Sequence, residues 1–234
     1  MICLLCGQEF SEKETFLGII TMRKSRYLIC KECQENFEKI GDDHCPTCYR
    51  KGSKEQCDDC KKWAKENHKV SHQALYTYNE AMKEYFSKYK FQGDAMLSHV
   101  FAKEVKQVLK NYKGYTIIPV PLSKERMKER QFNQVTAILN AAKIPYHDIL
   151  EKKDIKKQSE KSRKERLTSD CPFRIKSDIQ IPDKVLILDD IYTTGATLKG
   201  ICHLFFEKGA KIVKSLTIAR YMLANFHESS IIKE

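Results

Sequence analysis

The chain has 234 residues, of which 41% are hydrophobic and 31% charged, so it can form one core plus a small second domain and is not a disordered chain. No apolar run approaches the roughly 18 residues of a membrane span, and the N-terminus lacks a signal-peptide pattern, which predicts a cytoplasmic protein without membrane insertion. Residues 1–66 carry twelve basic and twelve acidic side chains, so the whole net charge of +11 belongs to residues 67–234. We therefore expect an anionic partner to bind the second part of the chain.

Residues 1–66 contain eight of the ten cysteines, arranged as four Cys-x2-Cys pairs. The pairs are Cys3/Cys6, Cys30/Cys33, Cys45/Cys48 and Cys57/Cys60. Two such pairs supply the four thiolates of a tetrahedral structural zinc site, so a double zinc ribbon with two Zn²⁺ is predicted. The short gap between the third and fourth pairs favours sequential pairing, with a cross-braced pairing as the alternative. Cys202 stands on an apolar helix face and is predicted to be a core residue.

After the cysteine-rich region, strands alternate with helices, which is typical of a mostly parallel α/β sheet. Four segments are predicted to be strands, at residues 74–78, 115–121, 185–188 and 212–219, and the third has the character of a buried strand.

The helices predicted between these strands differ in how clearly the sequence marks them. Apolar residues recur at helical spacing over residues 97–112, and a further helix is expected to end near Ala142. The segment 195–209 reads as a helix that a glycine stops. A charged turn is expected at residues 123–130, and a charged loop or lid at residues 151–170.

Residues 185–197 carry the most informative motif, Val-Leu-Ile-Leu-Asp-Asp-Ile-Tyr-Thr-Thr-Gly-Ala-Thr. A buried strand leads into Asp189 and Asp190, and a Thr/Gly loop at residues 193–197 then begins a helix. Such a loop can present N–H groups and hydroxyls to a phosphate at the positive end of a helix dipole, and the carboxylates can bind vicinal hydroxyls. The alternative is a solvated turn with a threonine N-cap, since the lysine of a P-loop is absent.

The whole motif resembles the phosphoribosyl pyrophosphate (PRPP) motif of type I phosphoribosyltransferases. Segments 90–94, 118–134 and 157–167, together with the cysteine-rich region in front of them, are similar to the ComF family of competence-associated phosphoribosyltransferases. The resemblance implies a type I phosphoribosyltransferase domain over residues 67–234, with a mostly parallel α/β sheet flanked by helices. A zinc-ribbon domain over residues 1–66 would precede it.

The resemblance also implies roles for individual residues. Asp189 and Asp190 would hold the ribose hydroxyls and act in catalysis. The 5′-phosphate would be bound by Thr193, Thr194, Gly195, Ala196 and Thr197. The segment that corresponds to the pyrophosphate loop contains Ser123, Arg126 and Arg130. The predicted lid would place three cations near the phosphates of PRPP: Lys161, Arg163 and Lys164.

Gln131 departs from the family pattern, in which a glycine usually follows the arginine at this place. If the backbone there adopts a positive φ, a glutamine costs about 1 kcal/mol or more.

The activity implied is Mg²⁺-dependent displacement of pyrophosphate from PRPP by an acceptor that the sequence does not identify. Two other functions stay open. One is a PRPP sensor without catalysis. The other is an adaptor that binds single-stranded DNA in the DNA-uptake machinery, where an uptake ATPase or helicase would be a partner. The basic surplus of residues 67–234 suits nucleic acid as well as PRPP.

Overall fold

The structure, a computed structural model, describes residues 1–11, 28–153 and 171–221. Within these ranges the strands are β1 (His72–Thr77), β2 (Thr116–Pro119), β3 (Leu150–Lys152), β4 (Phe173–Ile175), β5 (Lys184–Tyr192) and β6 (Ile212–Arg220). A parallel sheet contains four of them in the order β1, β6, β5, β2, and β3 pairs with β4 in antiparallel fashion. The predicted α/β architecture with a parallel sheet is confirmed.

The described helices are α1 (Lys31–Glu35), α2 (Asp58–Lys65), α3 (Glu80–Phe91), α4 (Ala102–Leu109), α5 (Lys124–Arg130), α6 (Gln134–Ala141) and α7 (Ala196–Glu207). Asparagine side chains cap two of them, because Asn79 accepts a hydrogen bond at the start of α3 and Asn133 accepts two at the start of α6. None of these helices has the length and apolar character that a membrane crossing requires.

One sequence-based expectation is wrong at residues 123–130, where Lys124–Arg130 form helix α5 rather than a turn. The Ser123 hydroxyl accepts a hydrogen bond from the Arg126 N–H at 3.3 Å and caps the helix. None of the residues of α5 is buried, so the helix has no apolar face and hydrophobic periodicity did not indicate it.

The single helix predicted over residues 97–112 is divided into three pieces. Helix α4 lies between 3-10 turns at Ala95–His99 and Lys110–Tyr112. The Asp94 carboxylate accepts a hydrogen bond from the Met96 N–H and starts the chain in the first of these tighter turns.

Two apolar clusters cover the two faces of the sheet. The first joins α3, α4 and α6 to Leu186 and Leu188 of β5. The second joins α7 and the β3/β4 pair to Val185 and Ile187 of the same strand. Alternate residues of β5 therefore enter both clusters, as expected for a central strand that is buried on both faces.

The cysteine-rich part of the chain packs on both clusters. Leu5 and Phe37 belong to the first, where the Phe37 ring lies 5.0 Å from that of Phe101. The four cysteines between Cys45 and Cys60 belong to the second cluster. The predicted domain boundary at residue 66 lies between α2 and β1 and stays a prediction.

Candidate functional site

The carboxyl ends of the parallel strands meet at one edge of the sheet, which is the usual place for a ligand in α/β folds. Asp189 and Asp190 stand near the end of β5, and the loop that follows begins helix α7. The side chains of Thr193, Thr194 and Thr197 are exposed at this edge. The predicted phosphate loop is thus accessible from solvent.

Asp190 is held by side chains from two neighbouring helices. Its Oδ2 lies 2.6 Å from Lys90 Nζ at the end of α3 and accepts a hydrogen bond from Gln134 Nε2 at 2.8 Å. Gln134 in turn accepts a hydrogen bond from Arg130 Nη1 at 3.2 Å. Because Asp190 is only 7% exposed, water screens the ion pair little. These contacts orient the carboxylate before a ligand binds.

The two adjacent carboxyl groups differ in protonation. Asp189 is mostly buried, and its Oδ1 accepts a hydrogen bond from the Asp190 N–H at 2.9 Å. Burial and the neighbouring Asp190 raise the pKa of Asp189 to about 8. Burial acts in the same direction on Asp190, but Lys90, Gln134 and the Ile191 N–H together outweigh burial and hold the pKa of Asp190 below its usual range. Near neutral pH Asp190 is therefore the ionised member of the pair.

Gly195 stands where another residue would collide with its surroundings. Its φ is +83°, in the left-handed region that favours glycine. A Cβ atom at this position would lie 2.1 Å from Tyr192 Oη. The Thr194 hydroxyl accepts only a long hydrogen bond of 3.4 Å from the Ala196 N–H. A bound phosphate could replace that weak contact.

The segment expected to bind pyrophosphate consists of helix α5 and its two ends. Ser123 is the N-cap, and the side chains of Arg126 and Arg130 are partly buried. Gln131 ends the helix with a φ of +63°, so the predicted cost of a glutamine applies here. Its side-chain Nε2 donates a hydrogen bond to the Lys128 carbonyl, which offsets part of the strain.

Three residues beside the acids had no role assigned from the sequence. Lys90 and Gln134 lie in segments that carried the family resemblance, and this was the signal that could have found them. Tyr192 lies within the 185–197 motif, but an aromatic residue at the end of an apolar strand is typical of a core, so no role was assigned to it. The predicted lid cations lie outside the described residues: Lys161, Arg163 and Lys164.

The eight cysteines of residues 1–66 form two groups, and within each group the Sγ atoms all lie within 4.8 Å of one another. The first group is Cys3, Cys6, Cys30 and Cys33, and the second is Cys45, Cys48, Cys57 and Cys60. Sequential pairing is confirmed, and the cross-braced alternative is excluded. His44 stacks on Tyr49 with ring centroids 3.9 Å apart, as a neighbour rather than a ligand.

The two groups are built from the same local structures. In each group, a residue with positive φ follows the first Cys-x2-Cys pair, namely Gly7 at +73° and Tyr49 at +59°. The second Cys-x2-Cys pair of each group begins a helix, with Cys30 as the N-cap of α1 and Cys57 as the N-cap of α2. The cysteine-rich region therefore contains one structural unit twice.

Zinc fits both groups. A tetrahedron with Zn–S bonds of about 2.3 Å has S···S edges of about 3.8 Å. The observed S···S distances are 3.8 Å for Cys3 and Cys33, 3.8 Å for Cys6 and Cys30, and 3.6 Å for Cys48 and Cys57. Backbone N–H groups also point at sulfur, for example from Cys57 to Cys45 Sγ at 3.3 Å, which suits a thiolate ligand.

Residues 129–230 match the phosphoribosyl transferase domain family. The chain is 45% identical to the competence protein ComFC of Streptococcus pneumoniae over 220 residues, which are 94% of this chain and 100% of that protein. It is 34% identical to the competence protein ComFC of Bacillus subtilis over 94% of this chain and 95% of that protein.

Solved hypoxanthine phosphoribosyltransferases also align with the chain. One from Trypanosoma cruzi, complexed with the product IMP, has a TM-score of 0.37 and 16% identity, over 59% of this chain and 66% of its own. One from Staphylococcus aureus has a TM-score of 0.31 and 18% identity, over 53% of this chain and 72% of its own.

Proposed function

The chain belongs to the ComFC family of competence proteins and contains a phosphoribosyltransferase-type domain, and from this we propose that it binds PRPP and transfers the phosphoribosyl group to an acceptor. The observation that carries the proposal lies at the end of β5. There an exposed loop that requires glycine at position 195 follows two adjacent acids. The pKa of Asp189 is raised and the pKa of Asp190 is lowered.

The loop supplies what a 5′-phosphate needs. The N–H groups at the start of α7 have no partners within the helix, and the exposed hydroxyls of Thr193, Thr194 and Thr197 add further donors. The positive end of the α7 dipole favours the phosphate charge. Tyr192 fills the space that a side chain at Gly195 would need, so glycine is required for the loop to keep this conformation.

The carboxyl groups would act on the ribose. Asp190 is ionised and oriented by Lys90 and Gln134, so it can accept a hydrogen bond from a ribose hydroxyl without further ordering. In the reaction, the bond between C1 and pyrophosphate breaks, pyrophosphate leaves with the electron pair, and a lone pair of the acceptor forms the new bond to C1. The ionised Asp190 would stabilise the positive charge that develops on the ring during this step.

Mg²⁺ would be bound mainly by the pyrophosphate oxygens of the substrate and by water, as is usual for this ion. Arg126 and Arg130 of helix α5 would supply cationic partners for the pyrophosphate itself. The strained Gln131 lies directly beside them.

The test is PRPP binding by calorimetry in the presence of Mg²⁺, measured beside pyrophosphate release with bases, nucleosides and single strands as acceptors. We expect Thr194→Ala to weaken PRPP binding, and Asp190→Asn, which removes the ionised carboxylate, to reduce turnover by roughly 10²-fold while much of the binding remains. Asp183→Asn, an exposed carboxylate in an ion pair with Lys211, is the matched control.

Different results separate the alternatives. Wild-type protein that binds PRPP but releases no pyrophosphate with any acceptor would be a sensor. Wild-type protein that does not bind PRPP would contradict both the enzyme and the sensor.

We also propose that both cysteine groups bind structural Zn²⁺. The expected content is two zinc ions per chain, from four thiolates per site. Cys6→Ser, which removes the exposed ligand of the first group, should lower the content to one. Cys202→Ser removes a buried cysteine outside both groups and should leave two. One zinc in the wild-type protein would contradict the proposal.

A second candidate function is binding of single-stranded DNA, which the net charge of +11 favours. Phe91 is 77% exposed, and the Arg130 guanidinium lies 5.6 Å from its ring centroid, so a base could stack on this aromatic ring. The full-length protein should bind an oligothymidine at low salt, and Phe91→Ala should weaken that binding. Absence of binding at low salt would remove this candidate.

A further inference from the structure

We propose that Arg220 is a positioning residue that couples the second cysteine group to the phosphate loop, so that zinc and PRPP strengthen each other's binding. The inference rests on the proposed function for both ligands. Arg220 is the last residue of β6 and pairs in the sheet with Tyr192, the last residue of β5. It therefore stands between the cysteine group and the edge of the sheet where the loop begins.

Arg220 contacts one ligand of the second cysteine group directly. Its Nη2 donates a hydrogen bond to Cys48 Sγ at 3.2 Å, and the residue is 4% exposed. Within the described part of the chain, its Nε and Nη1 have no hydrogen-bond partner. A guanidinium stays charged even when buried, and four thiolates with one Zn²⁺ carry a net charge of −2. The loaded zinc site is thus the counter-charge of Arg220.

The same guanidinium packs against Tyr192, the residue that directly precedes the phosphate loop. Its Cζ lies 4.3 Å from the ring centroid of Tyr192, which is 5% exposed. The His72 ring also packs against Tyr192, with centroids 4.3 Å apart. The Tyr192 hydroxyl occupies the space that a side chain at Gly195 would need. Contacts through Arg220 and Tyr192 therefore connect the metal ligand Cys48 to Gly195 of the phosphate loop.

A second connection joins the cysteine group to the helix that the loop begins. Lys199, in the first turn of α7, places its Nζ 2.7 Å from Glu66 and 4.0 Å from the ring centroid of Trp63. Trp63 belongs to α2, which starts directly after the ligand Cys57. Both sides of the phosphate loop are thus attached to parts of the chain that zinc would order.

Coupling of this kind is reciprocal. If zinc in the second group holds Arg220 and Tyr192 in the arrangement that binds PRPP, then bound PRPP must raise the zinc affinity of that group by the same factor. Coupling between sites is commonly worth a factor of about 5 to 150, and we expect about tenfold here. In the described part of the chain, the hydrogen bond from Arg220 to sulfur goes to the second cysteine group, and the first group serves as an internal reference.

The experiment uses full-length protein loaded with zinc and competed at equilibrium against a chromogenic chelator, with and without PRPP in excess Mg²⁺. We expect PRPP to raise the affinity for one of the two zinc ions about tenfold and to leave the other unchanged. Free PRPP can itself bind zinc, which would lower the apparent zinc affinity of the protein. Gly195→Val, which should not bind PRPP, measures this competing effect alone.

Variants of the coupling residue complete the test. Arg220→Met should weaken PRPP binding about tenfold and abolish the effect of PRPP on zinc. Arg220→Lys keeps a cation near Cys48 and should restore part of both, so it carries the test if the methionine variant does not fold. Lys211→Met removes an exposed cation just before the other end of β6 and should behave as wild type.

The outcomes that overturn the inference are distinct from those that overturn the proposed function. Wild-type protein that binds PRPP while both zinc affinities stay unchanged contradicts the coupling alone. Protein whose second cysteine group holds no zinc but which binds PRPP with unchanged affinity also contradicts the coupling alone. Absence of PRPP binding contradicts both.

Discussion

Lys90 Nζ lies 2.6 Å from Asp190 Oδ2, and the two side chains are 14% and 9% exposed. A lysine at the end of α3 thus provides the counter-charge of one of the two acids near the end of β5. A buried ion pair adds little stability as an intact unit, but loss of one partner leaves a charge that has already lost its hydration.

Single substitutions of this pair should therefore be more harmful than the double substitution. Asp190→Asn and Lys90→Met should each lower the free energy of unfolding by about 3 kcal/mol, and the double variant should recover most of the loss. Urea unfolding of all four proteins measures this. The exposed pair of Asp183 and Lys211 is the control and should contribute less than about 1 kcal/mol. Additive effects at Lys90 and Asp190 would contradict the coupling of their charges.

Asp189 should make the ligand-free protein less stable as the pH rises. Burial and Asp190 raise its native pKa to about 8, whereas an unfolded aspartate has a pKa of about 3.9. Between these values the native state binds more protons, so the free energy of unfolding falls with increasing pH and levels off above about 8.

Asp189→Asn removes this dependence and should gain stability relative to wild type as the pH is raised from about 5 to about 8. Urea unfolding at both pH values gives the difference between the two proteins, with Asp183→Asn as the control. A difference between wild type and Asp189→Asn that is the same at both pH values would show that Asp189 is ionised throughout.

Gly195→Ala should abolish PRPP binding, because it adds a Cβ against the Tyr192 hydroxyl and forces an alanine to a φ of +83°. Gly209→Ala is the matched control, since Gly209 has a φ of +100° but no atom within 4 Å of the added Cβ. Both variants should lose about 1–2 kcal/mol to backbone strain, and only Gly195→Ala should lose more than that and lose binding. Calorimetry with PRPP and urea unfolding decide; equal losses in both variants would contradict the role of Tyr192.

Gln131→Gly should stabilise the protein by about 0.5–1 kcal/mol, because glycine adopts the left-handed conformation after α5 without strain. Gln92 ends α3 with a φ of −89°, so Gln92→Gly should instead destabilise the protein. Thermal unfolding of both variants provides the comparison. A destabilised Gln131→Gly variant would mean that the hydrogen bond from Gln131 to the Lys128 carbonyl outweighs the strain.

Short segments of the sequence determined much of this protein. The apolar run before Asp189 predicted a strand, and the Thr/Gly loop after it predicted the start of a helix, because backbone preference and burial act over a few residues. The cysteine pairs predicted two metal sites and their sequential grouping, since ligand geometry is encoded in close spacing. Helix α5 escaped prediction, because a serine cap and exposed charges give no periodic signal.

Only the tertiary structure decided which polar groups meet. The pairing of Lys90 with Asp190 helps to determine which acid is ionised, and the two residues come from helix α3 and strand β5. Arg220 and Cys48 are 172 residues apart and touch because β6 lies between β1 and β5 in the sheet. Tyr192 limits Gly195 through the space that its ring fills. Strand order and burial create these contacts, and neither can be predicted from the spacing of residues within one segment.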